Sequence, residues 1–346
     1  MNKILVVRND KIGDFMLAWP SFAMLKLSLP HCHIAALVPP YTAALARLCP
    51  WIDDVIIDCG KKGTKTDKAE LISKLRSEHF DAAIALFTNT YNATLLYQAH
   101  IPYRLAPATK WSQFFYNHRL TQRRSRSEKP EYQYNLDLIR YFLNKHQVSV
   151  IEPSTPYLAL SPKVLQMQKA KLVAQLGINP NRKWCFLHSG TGGSANSLLL
   201  EQQVELVQII LASEPFEIVL TAGPGEVEQA KRLQALLNSE NIASVVYDKN
   251  DGLDDFASSI ACADLFTAGS TGPLHIAAAA DVPTIGFFPS KRSSTPLRWK
   301  TLNTDRRHLA FSPPPVKGQE MDMSRIQLSD AKIKTKLNTW LASILS

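Results

Sequence analysis

The chain contains no stretch approaching the ~18 uninterrupted apolar residues of a membrane-spanning helix, so no such span is expected. The opening run Met1–Val7 meets Arg8 and Asp10 too soon to form a signal-peptide core, which points to the cytoplasm. Cysteine is scarce. The five present, Cys32, Cys49, Cys59, Cys185 and Cys262, are scattered and odd in number, with no C-x-x-C pair and no Cys/His zinc spacing. Reduced thiols packed as small apolar residues are therefore expected. There is no G-x-x-x-x-G-K-[ST] loop, which argues against a P-loop NTPase. Nor is there a D-x-D pair, so no divalent-metal clamp on a diphosphate is evident.

Acids are the minority charge. Lys and Arg number 39 against 30 Asp and Glu, a net charge of +9. Residues 1–160 hold 20 basic and 13 acidic residues, a net of +7, which leaves only +2 for the remainder. That asymmetry suits an acidic partner of the first half, such as an anionic substrate or membrane surface; a merely soluble basic face is the plain alternative. The length, 346 residues, suggests two domains at ~150 residues each, and 45% hydrophobic residues suffice for two cores.

Short β-like runs alternate with helical patterns through the first half: strands at 3–7, 34–38, 54–57 and 82–87, helices at 14–27, 41–48 and 67–77. The pattern breaks from Pro107 to Pro130, a stretch carrying Arg119, Arg123, Arg124, Arg126 and Lys129 with one acid, Glu128. A helix follows at 131–145. Pro153, Pro156 and Pro162 mark a linker, after which the alternation restarts and runs to a last helix at 329–345. Strands interleaved with helices of this length call for parallel sheets covered on both faces. The expected fold class is α/β: two Rossmann-like domains with a cleft between two open sheets, ligands binding at the carboxyl ends of the strands.

Three segments could carry chemistry. The first is Gly269-Ser270-Thr271-Gly272-Pro273-Leu274-His275, leading into an alanine-rich helix. Ser270 or Thr271 can cap that helix, and its amides and dipole suit a pyrophosphate, with His275 in the first turn. A plain capped helix with a packed histidine is the alternative. The second is His188-Ser189-Gly190-Thr191-Gly192-Gly193-Ser194 after a strand, whose glycines allow the backbone to curl around phosphate oxygens. Its match to the dinucleotide fingerprint is weak, because no acid closes the next strand, where Thr221-Ala222-Gly223 stands instead. The third is the loop Arg8-Asn9-Asp10-Lys11-Ile12-Gly13-Asp14. Asp14 reads as a helix N-cap, and it also stands where a carboxylate could act as general base toward a sugar hydroxyl.

Taken together these segments resemble the bacterial heptosyltransferases of glycosyltransferase family 9. Ile4-Leu5-Val6-Val7-Arg8 with Gly13-Asp14 and Pro20 is similar to that family's N-terminal signature. Glu131 with Asn135-Leu136-Asp137-Leu138, Ala222-Gly223-Pro224 with Glu226 and Glu228, Pro296-x-Arg298-Trp299, and above all Thr271-Gly272-Pro273-x-His275 carry the rest.

The resemblance implies a two-domain fold of GT-B type: an acceptor domain over 1–155, a nucleotide-sugar domain over 156–325, and a C-terminal helix over 326–346 packing back toward the first domain. It implies inverting, metal-independent transfer of a heptose from ADP-heptose to the Kdo or heptose of the lipopolysaccharide inner core, with no cofactor. Asp14 aligns with the catalytic base. Thr271, Gly272 and His275 align at the donor diphosphate beside Ser270 and Pro273. Glu226 aligns at the nucleoside, and Ser189, Gly190, Thr191, Gly192 and Asn196 lie in the second phosphate loop. Arg8, Lys11, Arg119, Arg123 and Arg124 are the expected acceptor-binding cations. The expected partners are a nucleotide-sugar, an anionic lipopolysaccharide acceptor and the inner face of the cytoplasmic membrane, with no nucleic acid. Two positions depart from the family pattern: Asn196 stands for a phosphate-contacting lysine, and Ser270 for an aspartate. Lys291, Arg292 or Arg298 could supply the missing charge. A non-catalytic glycan- or lipid-binding relative and a nucleotide-sugar epimerase are the competing readings.

Overall fold

In the computed structural model the described residues are 1–190 and 197–345. The chain divides into two compact units, Met1–Tyr157 and Leu158–Ser346.

In the first unit the strands are β1 (Lys3–Val7), β2 (His33–Val38), β3 (Asp54–Ile57), β4 (Ala82–Ala85), β5 (Tyr103–Pro107) and β6 (His118–Leu120). They form one parallel sheet in the order β3-β2-β1-β4-β5-β6. The second unit contributes β7 (Trp184–His188), β8 (Glu217–Thr221), β9 (Ser244–Tyr247), β10 (Leu265–Gly269), β11 (Thr284–Phe287) and β12 (His308–Phe311), again all parallel, in the order β12-β11-β10-β7-β8-β9. Counted from each unit's first strand, both orders are the doubly wound Rossmann order. The central strands are apolar on both faces because helices cover both: Ile4, Leu5, Val6 and Val7 are wholly buried.

The order reverses beside β1 in the first unit and beside β7 in the second. Loops leaving neighbouring strands diverge there and open a crevice at the strands' carboxyl ends. The segments singled out by sequence leave β1, β7 and β10, so they lie at these two points.

Several local expectations are corrected. The helix expected over 14–27 is two helices, Ile12–Met16 and Trp19–Ser28. Pro20 has no N–H and would clash with the carbonyl one turn earlier, so it sits in the first turn of a new helix. The stretch from 107 to 130 is more ordered than its broken periodicity suggests. It holds the short edge strand β6 and the 3₁₀ turns Trp111–Phe115 and Arg124–Arg126. The C-terminal helix, Ala331–Leu345, buries Leu337, Trp340 and Leu341 in the core of the second unit, and Trp340 Nε1 donates to the Arg306 carbonyl at 2.7 Å.

Candidate active site

In the first unit the site grows from Arg8, the residue directly after β1. Its side chain is 2% exposed, so burial alone would disfavour its charge, and three carboxylates offset that cost. Nε donates to Asp10 Oδ1 at 2.8 Å, Nη2 to Asp14 Oδ1, and Nη1 to Glu131 Oε1 at 3.3 Å. The three acids hold the guanidinium charged, well above its ordinary range. Glu131 also accepts from Arg124 Nη1 at 2.7 Å, while Asn135 Oδ1 lies 3.4 Å from both Arg8 Nη1 and Arg124 Nη2. Arg8 is thus a counter-ion inside the fold, and an exposed acceptor-binding cation is not what the side chain forms. Arg124 likewise turns inward, whereas Lys11, Arg119 and Arg123 are exposed.

Asp14 is not the helix N-cap that the sequence suggested. The cap residue is Lys11, and Asp14 stands inside the first turn of Ile12–Met16 with its carboxylate on Arg8. Asp10 is pushed up to about 7 by burial, with Arg8 opposing and Asp14 reinforcing the shift. The Tyr41 hydroxyl donates to the Asp10 carbonyl. The loop is pinned further by a reciprocal amide pair: Asn9 Nδ2 to Asn92 Oδ1, and Asn92 Nδ2 to Asn9 Oδ1, both at 2.8 Å. Asn9 Nδ2 also reaches Asp58 Oδ2 at 2.6 Å.

The sequence reading assigned Asn9 and Asp10 no role of their own within that loop, and it did not single out Asp58 or Asn92. One available signal was the helix Glu131–Lys145, whose buried face carries Glu131 and Asn135 among Tyr134, Leu138 and Phe142. A buried Glu and Asn at (i, i+4) demand polar partners, and those partners are Arg8 and Arg124.

In the second unit the helix Gly272–Ala279 follows β10 with Thr271 as its N-cap residue and Pro273 in the first turn. Neither Ser270 nor Thr271 caps it as expected: the helix has no side-chain cap hydrogen bond, and Thr271 Oγ1 donates to the Gly269 carbonyl at 3.3 Å. The positive end of this helix is therefore left to the backbone. His275 is 2% exposed, its Nδ1 has no hydrogen-bond partner, and burial together with His308 lowers it to about 3. The imidazole is neutral. Its ring centroid lies 6.4 Å from that of Trp299, over which Arg298 places its guanidinium at 5.8 Å. Lys291 and Arg292 are exposed.

Glu226 joins the loops after β7 and β8. Its Oε2 accepts the Gly223 N–H at 2.9 Å and lies 3.4 Å from His188 Nε2. His188 is buried, which lowers its basicity against the opposing pull of Glu226, and its Nδ1 meets Thr221 Oγ1 at 3.0 Å. Ser189 is buried and its carbonyl accepts from Gln229 Nε2 at 2.8 Å, tying the start of the glycine-rich loop to the helix Val227–Ser239. Thr191, Gly192 and Asn196 lie outside the described residues. Among the described residues no group of three or more His, Cys, Asp or Glu is placed to hold a metal ion, and no helix is long and apolar enough to cross a membrane.

Two Rossmann-like units in succession, with a buried acid–guanidinium cluster after β1 and an uncapped helix start after β10, define a fold of the GT-B class. Residues 68–323 match the family Glycosyltransferase family 9 (heptosyltransferase), and the chain belongs to that family. It is a glycosyltransferase of heptosyltransferase type. A Haemophilus influenzae protein described as "Putative glycosyltransferase" is 53% identical over 346 residues, 99% of either chain. The structure of Escherichia coli ADP-heptose lps heptosyltransferase II superposes with a TM-score of 0.78 at 18% identity, covering 99% of this chain and 100% of that one. E. coli heptosyltransferase WaaC with ADP gives 0.73 at 19% identity, covering 97% and 99%.

Proposed function

We propose that this glycosyltransferase moves a heptose from ADP-heptose to the Kdo or heptose of the lipopolysaccharide inner core, with inversion, in the cytoplasm at the membrane surface. The observation that carries the reading is the Asp14 carboxylate, held at the carboxyl end of β1 by Arg8. Inversion takes a single displacement, for which one base and a stabilised leaving group suffice. Asp14 takes the proton of the acceptor hydroxyl as the new glycosidic bond forms and the bond to the nucleoside diphosphate breaks.

The leaving diphosphate is stabilised by the start of the helix Gly272–Ala279, which no side chain caps. His275 Nδ1, buried without a partner, is suited to donate to a phosphate oxygen in its neutral form. Ser270, Thr271 and Pro273 shape that turn, and the backbone of Ser189 and Gly190 meets the other phosphate. Arg298 takes over the charge of the lysine that Asn196 replaces. Glu226 receives the nucleoside hydroxyls. In this reading the transfer needs neither metal nor cofactor, because amide dipoles and Arg298 carry the developing charge. Lys11, Arg119 and Arg123 meet the phosphates and carboxylates of the acceptor.

The test is incubation of the chain with a panel of nucleotide-sugars and a heptose-deficient lipopolysaccharide acceptor, in chelator. ADP release with ADP-heptose, together with an inverted anomeric centre in the product, is the expected result. Transfer from a UDP-sugar alone would overturn the donor assignment.

A further inference from the structure

Between Asp81 and Glu128 the sequence has no acidic residue, while Arg104, Lys110, Arg119, Arg123, Arg124 and Arg126 fall within it. In the middle of this stretch, between β5 and β6, lies the 3₁₀ turn Trp111–Phe115. Its backbone is anchored: Ser112 and Tyr116 are buried, and the Tyr116 hydroxyl accepts from Thr88 Oγ1 at 3.1 Å. The same turn presents Trp111 and Phe114 to solvent at 62% and 75% exposure. In a 3₁₀ helix residues i and i+3 eclipse, so both rings project from one side. Tyr97, also exposed, continues the surface through Phe115, whose ring centroid lies 5.4 Å from Tyr97 and 5.8 Å from Trp111.

Cations frame the rings. The Arg119 guanidinium stands 5.6 Å from the Phe114 centroid and Arg104 stands 5.5 Å from Tyr97, with Lys110 directly before the turn. Large exposed aromatics are costly in water, and a rigid turn that displays two of them marks a contact surface. Amphipathic aromatic rings beside the exposed cations Lys110 and Arg119 match the boundary between headgroups and acyl chains of an anionic leaflet. We propose that this patch docks the first unit on an anionic lipid bilayer, Trp111 and Phe114 seating at the acyl boundary and Lys110 facing the headgroup charge. The inference rests on the reading above, in which the acceptor is embedded in such a surface.

The experiment is flotation of the full chain with vesicles of phosphatidylethanolamine and phosphatidylglycerol, beside vesicles of phosphatidylcholine. Vesicles with brominated acyl chains report insertion by quenching tryptophan fluorescence. The expected result is binding to the anionic vesicles only, weakened by salt, with quenching that Trp111→Phe removes. Trp111→Ser with Phe114→Ser lowers partitioning by ~10-fold or more, and Lys110→Glu by roughly 5-fold. Melting temperature and turnover on a delipidated acceptor stay at parental values. Equal flotation of the double serine variant, or none by the parent, would overturn the proposal. So would a parental dimer that the double serine variant dissolves, since the patch would then face a second copy. Vesicle binding by a chain that transfers no heptose would sink the functional reading and leave this one standing.

Discussion

Gly190 and Glu226 compete for one volume: a Cβ placed on Gly190 would lie 2.1 Å from Cδ of Glu226. The glycine is therefore required by the neighbouring carboxylate. Gly190→Ala should drive Glu226 out of its bonds to the Gly223 amide and His188 and weaken ADP binding by ~10-fold, as Glu226→Ala should. Because both substitutions remove the same arrangement, the double variant should lose little more than either single one. Calorimetry with ADP reads this, and additive losses would show the two residues to be independent.

Asp14→Asn should lower kcat by ~10²- to 10⁴-fold, the usual worth of a general base. Asn Oδ1 can still accept from Arg8, so the fold should hold. Measuring kcat beside the melting temperature separates the roles: near-parental turnover would remove Asp14 from the mechanism.

The basic residues of the first unit divide by burial. Arg8→Ala would strand Asp10 and Asp14 and should cost ~3–5 kcal/mol of stability, the penalty for breaking a buried pair. Arg124→Glu, facing Glu131, should also unfold the protein at lower denaturant. Arg119→Glu with Arg123→Glu should leave the denaturation midpoint unchanged and raise the acceptor KM, because both side chains are exposed. A stability loss in that exposed pair would contradict the division.

His275 and His308 are lowered to about 3 and about 4 by burial, so both are neutral in the folded protein and protonate on unfolding below their ordinary ~6.5. The unfolded chain then binds more protons, and stability is lost as pH falls from ~6.5 toward 4, by ~1.4 kcal/mol per pH unit for each fully titrating histidine. His308→Gln should flatten that slope by one histidine's share in urea melts at pH 6 and 4.5. An unchanged slope would mean that His308 is already charged in the fold.

Asp10 shifts in the opposite direction. Its folded value, about 7, lies above the ~3.9 of an unfolded chain, so the native state holds the proton more tightly and stability falls as pH rises between those values. Asp10→Asn removes the titrating carboxyl and should raise the melting temperature at pH 8 relative to pH 5. Parallel profiles for variant and parent would place Asp10 in its ordinary range.

The alternating strands and the family motifs were legible because apolar runs of four to six residues and glycine-rich turns are local signals. The strand β5 and the edge strands β6 and β12 were not. They are short and polar in part, and only pairing with a neighbouring strand makes them strands. The split at Pro20 follows from chemistry already visible in the chain, and the Glu131-Asn135 face could have been read as a demand for buried partners.

The sequence by itself determined that the chain is a two-unit α/β protein with a carboxylate after the first strand and a Gly-Ser-Thr-Gly-Pro turn before the alanine-rich helix, since each is a matter of neighbours in the chain. Only the tertiary structure decided what those groups do to one another. Arg8 and Glu131 are far apart in sequence, and the packing of the helix Glu131–Lys145 makes the arginine a buried counter-ion rather than a surface cation. The C-terminal helix belongs to the second core because Leu337, Trp340 and Leu341 find their apolar partners there, a choice that its own periodicity does not encode.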